Sequence, residues 1–201
     1  MTYNSNGPNG LVPVNSSIGG SNTGQMNSYP ITATYASTLF TGDLVTLSTL
    51  GTVIRCTTTT PALGVFQGCL YYPSPNNSGI VQFPFWPGNP TQVTGTAPYA
   101  LVIDDPYQVY TIQETSATGA AGTALTQAAV GQNASIVYTA GSTQTGISAV
   151  SLDNTTVLAT TSLNLNIVGL DPHVGNALGS YANWLVRINS GIARAGATRN
   201  P

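Results

Sequence analysis

Leu63-Gly64-Val65-Phe66-Gln67-Gly68-Cys69-Leu70-Tyr71-Tyr72, Phe83-Pro84-Phe85-Trp86-Pro87-Gly88 and Ala100-Leu101-Val102-Ile103-Asp104-Asp105-Pro106-Tyr107-Gln108-Val109-Tyr110-Thr111-Ile112-Gln113 decide the fold. Three apolar, β-branched or aromatic runs are separated by clusters of Pro, Gly and Asn, which is the pattern of strands and turns. Most of the chain's large apolar mass lies between Leu63 and Gln113, so the core of one β domain is expected there.

Outward from this block the same signals recur at short intervals. Asp43-Leu44-Val45-Thr46-Leu47 and Gly51-Thr52-Val53-Ile54-Arg55-Cys56 read as a hairpin turning at residues 48–51. The β-branched run Thr57 to Thr60 stays extended and Pro61 ends it. Downstream, Asn133 to Tyr138 and Ile147 to Leu152 are further short strands. Leu163-Asn164-Leu165-Asn166-Ile167 alternates as a half-buried strand does. Tyr181 to Asn189 places Trp184, Val186 and Ile188 on one face and Asn183, Arg187 and Asn189 on the other. The alanine-rich stretch from Gly119 to Gly131 carries Gly122 in its interior and admits at most a single helical turn. The expectation is an all-β fold, a compact antiparallel sandwich or barrel of about ten short strands. Residues 1–30 are polar and of low complexity and are expected to form a flexible, extended N-terminal arm. Residues 31–190 make the single β domain, and 191–201 a small polar tail.

Charged residues are 5% of the chain, against about 25% in an ordinary soluble domain. There is no lysine, and the cations are Arg55, Arg187, Arg194 and Arg199. Four positive charges cannot neutralise a useful number of phosphates, which argues against nucleic acid as a partner. No run approaches the ~18 apolar residues of a membrane helix, and no signal peptide is visible at the N-terminus. Cys56 and Cys69 could face each other across a hairpin, but small buried hydrophobes is the favoured reading. Thr, Ser, Asn and Gln supply the polarity. Such a surface is hydrated yet carries little charge repulsion, which suits packing against copies of its own kind.

Catalytic patterns are weak. His173 stands in a loop beside Asp171, but no Gly-x-Ser-x-Gly elbow supplies a nucleophile. Asp104 and Asp105 invite a glycosidase or calcium reading, yet neighbours on a strand point to opposite faces. They read better as the polar end of a strand entering a turn at Pro106. No spacing of His, Cys, Asp and Glu suggests a metal, and no phosphate loop is present. The expectation is a protein without enzymatic activity, cofactor or metal. Trp86, between prolines, is either core packing at a strand edge or a partly exposed anchor at an interface. Tyr29, Ile31, Tyr71, Tyr72, Phe85, Trp86 and Arg187 form the candidate interface set.

Several segments together resemble the capsid decoration, or head-stabilising, proteins of tailed bacteriophages. They are Gly42-Asp43-Leu44-Val45, then Pro61-Ala62-Leu63-Gly64-Val65-Phe66-Gln67-Gly68, and Phe85-Trp86-Pro87-Gly88. After them come Ala100 to Pro106 with Tyr110-Thr111-Ile112-Gln113, and finally Ile167-Val168-Gly169-Leu170, Gly175-Asn176-Ala177 and Leu185 to Asn189. The resemblance spans roughly residues 40 to 190 and leaves the N-terminal arm outside. It implies a β-rich structural protein on the outer capsid surface, often a trimer, that braces neighbouring major capsid subunits and is assembled in the host cytoplasm. Alternatives are a receptor- or glycan-binding virion tip, a jelly-roll major capsid protein, and a glycan-degrading enzyme using Asp104 or Asp105.

Overall fold

A computed structural model describes residues 4–16, 24–58, 60–75, 79–160, 162–189 and 191–192. Among them the fold is all-β. In chain order the strands are β1 (Val12–Ser16), β2 (Asn27–Pro30), β3 (Leu39–Phe40), β4 (Leu44–Leu47), β5 (Val53–Arg55), β6 (Gly64–Tyr71), β7 (Val81–Phe83) and β8 (Phe85–Trp86). They continue as β9 (Tyr99–Ile103), β10 (Gln108–Thr115), β11 (Asn133–Ala134), β12 (Ile136–Val137), β13 (Ser151–Asp153), β14 (Leu165–Leu170) and β15 (Asn183–Ile188). A single 3₁₀ turn, Gln127–Ala129, is the one helical element in the alanine-rich stretch, where the lone interior glycine disfavours a longer helix.

Two sheets divide the molecule. The first runs β11-β14-β15-β10-β13-β12, with β1 on the same edge of β10 as β13. Only Ser135 separates β11 from β12, so one short segment borders both ends of this path and the sheet nearly closes into a barrel. Ser135 forms the corner. Its N–H donates to Thr156 Oγ1 at 3.0 Å, its carbonyl accepts from the Asp153 N–H at 3.0 Å, and its hydroxyl donates to Asn164 Oδ1 at 3.4 Å. Closure of this kind removes exposed sheet edges.

The second sheet runs β2-β9-β6-β4-β5, with β7 beside the far end of β6. A short ladder, β3 with β8, lies against it. Successive residues of its central strands face opposite ways. Leu44, Val65 and Ile103 enter the barrel core, whereas Val45, Phe66 and Val102 enter a second cluster with Trp86, Tyr71, Cys69 and Leu39. Both faces of this sheet are therefore buried where β4, β6 and β9 meet, which is why these strands read as continuous apolar runs. The two cysteines are free and lie in different clusters, Cys56 with the barrel and Cys69 with the second sheet.

The chain passes between the sheets at Asp104-Asp105-Pro106-Tyr107. β9 belongs to the second sheet and β10 to the barrel, so the strands flanking this turn do not pair with each other. Asp105 caps the turn, its Oδ1 accepting the Tyr107 N–H at 2.8 Å and its carbonyl the Gln108 N–H at 3.2 Å.

The first thirty residues are not a free arm where they are described. Leu11 is buried in the barrel core, β1 pairs with β10, and β2 pairs with β9, so the segment contributes a strand to each sheet. The physical reason is sparse but well-placed anchoring. Leu11 buries a full side chain, and its N–H donates to the Gly42 carbonyl at 2.9 Å. Gly10, at φ +69°, lets the backbones approach so closely that a Cβ there would lie 2.7 Å from Gly42 O. At the other end, Gly191 bridges to Ala62 and Ile192 packs on the second cluster. The rest of the tail expected over 191–201, from 193 onward, lies outside the described residues.

Candidate functional site

The candidate interface residues do not converge on one surface. Trp86 is 0% exposed, and its indole N–H donates to the Tyr35 carbonyl at 2.9 Å. Tyr71 stacks on Phe83 with centroids 4.7 Å apart and meets Trp86 edge-on at 5.8 Å. Ile31 is buried in the same cluster. The reading of Trp86 as an exposed anchor is therefore corrected: the prolines keep its segment out of the central sheet, but the indole turns inward beneath β6. Tyr29, Tyr72, Phe85 and Arg187 are half-buried. Tyr29 spends its hydroxyl on Asp104 Oδ2 at 2.5 Å, and Phe85 stacks on Phe40 at 5.7 Å. Arg187 donates to Asn166 Oδ1 at 3.2 Å across β14 and β15.

The charges are instead drawn inward. Glu114, at the end of β10, lies fully buried in the barrel. Its carboxylate accepts the Trp184 indole N–H at 2.9 Å and the Leu125 N–H at 3.2 Å, with no cation beside it. Burial pushes its pKa up to about 7, against the opposing effect of those two donors. Asp43 is likewise buried, accepting the Phe40 N–H at 2.9 Å, and burial raises its pKa despite hydrogen bonds from Ser148 and Phe40 and the charge of Arg55. Arg55 lies 3.7 Å over the Tyr138 ring and donates to the Thr38 carbonyl at 2.5 Å. Asp43, beside β4, and Arg55, on β5, meet Ser148 and Tyr138, whereas Glu114 lies within the barrel. Residue patterning alone did not single them out. The available signal was a charged side chain inside an apolar run, in a chain that has so few charges.

The remaining acids are committed to structure. Asp104 accepts Asn27 Nδ2 at 2.9 Å and Tyr29, binding β9 to β2, while Asp105 caps its turn. The two carboxylates serve different partners and do not converge. Asp171 pairs with His173 Nδ1 at 3.0 Å and accepts the Thr111 hydroxyl at 2.6 Å. Burial pushes its pKa up, but these hydrogen bonds and the imidazole more than offset that and hold it below the usual value. No serine hydroxyl is hydrogen-bonded to His173 among the described residues. Among the described residues there is also no group of three or more His, Cys, Asp and Glu placed to hold a metal.

Of the recesses that open on the surface among the described residues, two bear on function. One, about 360 Å³, is polar and lined by Asn4, Ser5, Gln113, His173 and Asn183, with Gln113 already engaged by Gly7 and Ser5. The other, about 290 Å³, is apolar and lies beside β1. No family model, no curated protein and no solved structure matches the chain. Function is therefore argued from these surfaces.

Proposed function

We propose that the protein is a non-enzymatic structural component of a virion, decorating the outer surface of a tailed-phage capsid and bracing adjacent major capsid subunits, most simply as a homotrimer. One observation carries the reading. Of the eight charged residues in the described segments, Asp43, Glu114, Asp153 and Asp171 are buried, Arg55, Asp104 and Arg187 are half-buried, and only Asp105 is exposed. The exterior is thus hydrogen-bonding but nearly uncharged. Surfaces of that kind approach one another without long-range repulsion and without desolvating ions. The cost is weak colloidal protection for the free chain. That balance suits a life spent packed in an ordered array. A closed oligomer that touches several shell subunits at once also gains from effective concentration, so each contact can be modest.

The test is to image intact particles and locate this chain. Copies on the outer shell related by capsid symmetry are expected, together with co-sedimentation of purified protein onto shells that lack it. Wild-type protein that never associates with shells, or turnover of any substrate by the isolated chain, would remove the proposal. A second reading, glycan binding at a virion tip, draws on the neutral, amide-lined recess at Gln113 and Asn183. Among the described residues no Trp, Tyr or Phe lines that recess and His173 is its one ring, so the broad stacking surface usual for sugars is missing there. Glycan-array binding that disappears in Asn183→Ala would favour it.

A further inference from the structure

We infer that the outer edge of β1 and the apolar recess beside it dock an extended, uncharged, apolar segment of the neighbouring shell protein, an inference that rests on the decoration reading above. Three features of one surface carry it. β1 pairs only with β10 among the described strands, and no described strand borders its other side. Val12 and Val14 on this strand, and Ile147 nearby, are 42%, 42% and 41% exposed. The recess of about 290 Å³ is lined by Leu11, Val12, Pro13, Thr41, Gln67 and Ile147, with no ionisable side chain among them.

An open edge beside an apolar pocket is the arrangement by which a strand is added to a sheet: backbone groups supply affinity and the pocket reads a side chain. At about 290 Å³ the recess has room for aliphatic side chains of such a strand. Its polar side chains, Asn9, Thr41 and Gln67, are neutral, so a charged segment would be desolvated with no opposite charge to pair with. The edge also limits its own use. Pro13 offers no N–H, and the register jump between Pro13 and Asn15 makes Val14 an inserted residue. Such an edge accepts one short strand and resists sheet-to-sheet growth.

Ile147→Glu places a charge at the mouth of the recess, and Val14→Lys places one on the strand edge; both positions are exposed, so the fold is expected to hold. Each purified variant is titrated onto shells lacking the chain, with its melting temperature measured alongside. At least ten-fold weaker co-sedimentation at an unchanged melting temperature is expected for both. A photo-reactive benzoylphenylalanine at Val14 is expected to cross-link to an uncharged segment of the shell protein. If both variants bind like wild type, or the cross-link joins two copies of this chain, the docking assignment fails and decoration stands. Wild-type protein that does not bind shells at all overturns the decoration reading, and this inference with it.

Discussion

At the scale of single residues the most consequential group is Glu114. Its pKa rises from 4.5 to about 7 on folding, so over that interval the folded chain holds a proton that the unfolded chain has lost. Stability then falls as pH rises: it is fully present below about 4.5 and reduced by up to about 3 kcal/mol above 7. Glu114→Gln removes the titration. An amide oxygen in the Oε2 position still accepts from both Leu125 and Trp184, so the fold is retained. Urea midpoints measured at pH 5 and pH 8 are expected to separate for wild type and to separate by less for the variant, in which the buried Asp43 carboxyl, its pKa also raised, remains. An equal separation in both would place the pH dependence elsewhere. Trp86 gives a second residue-scale expectation. Trp86→Ala leaves a large cavity and strips the Tyr35 carbonyl of one of its two donors, the Asn89 N–H remaining at 2.8 Å, at a cost of about 3–5 kcal/mol. Far- and near-ultraviolet circular dichroism during thermal melting checks this, and near-wild-type stability would mean the indole is not packed as described.

At the scale of elements, the meeting of β4, β6 and β9 is the tightest joint in the fold. Gly64 opens β6 where a Cβ would lie 2.2 Å from the Ile103 carbonyl oxygen and 2.7 Å from Val102 Cγ1. Backbone must move to admit it, so Gly64→Ala is expected to cost about 1–3 kcal/mol, with amide exchange accelerating first in β6 and β9. Unaltered exchange there would show that the strands are more loosely joined. The same joint explains what the sequence disclosed and what it hid. β15 was legible because one face is core and the other is not, so Trp184, Val186 and Ile188 alternate with Asn183 and Arg187. The β4–β5 hairpin was legible from its turn. The passage from β9 to β10 was not: Ala100–Ile103 and Val109–Gln113 both read as strands, and nothing in either run says that they belong to different sheets. Closure at Ser135 depends on partners at Thr156 and Asn164, far along the chain. The first thirty residues looked like a loose arm because their anchors, Leu11 and the Gly10–Gly42 approach, are few and polar sequence surrounds them. The candidate interface failed for a related reason, since aromatic residues near prolines mark core edges as well as contact surfaces.

At the scale of the whole molecule, the two apolar clusters share strands, because Leu44 and Val45, Val65 and Phe66, and Val102 and Ile103 divide between them. Neither cluster can lose its packing without disturbing the other. A single cooperative transition with equal calorimetric and van't Hoff enthalpies is expected, and two resolved transitions would make them independent units. The outward consequence concerns association. Exposed charges screened by salt are what make encounter rates depend on ionic strength, and here Asp105 is the one exposed Asp, Glu or Arg among the described residues. Binding to a shell is therefore expected to proceed near the unsteered range of about 10⁵–10⁶ M⁻¹s⁻¹ and to change less than two-fold between about 50 and 500 mM salt. Surface plasmon resonance on immobilised shells measures this directly. A steep fall in on-rate with added salt would mean that attraction is governed by charge on a part of the chain beyond the described residues, Arg194 and Arg199 being the cations available there. A flat profile would locate the affinity in shape, neutral hydrogen bonds and buried apolar surface, the three things that this exterior has to offer.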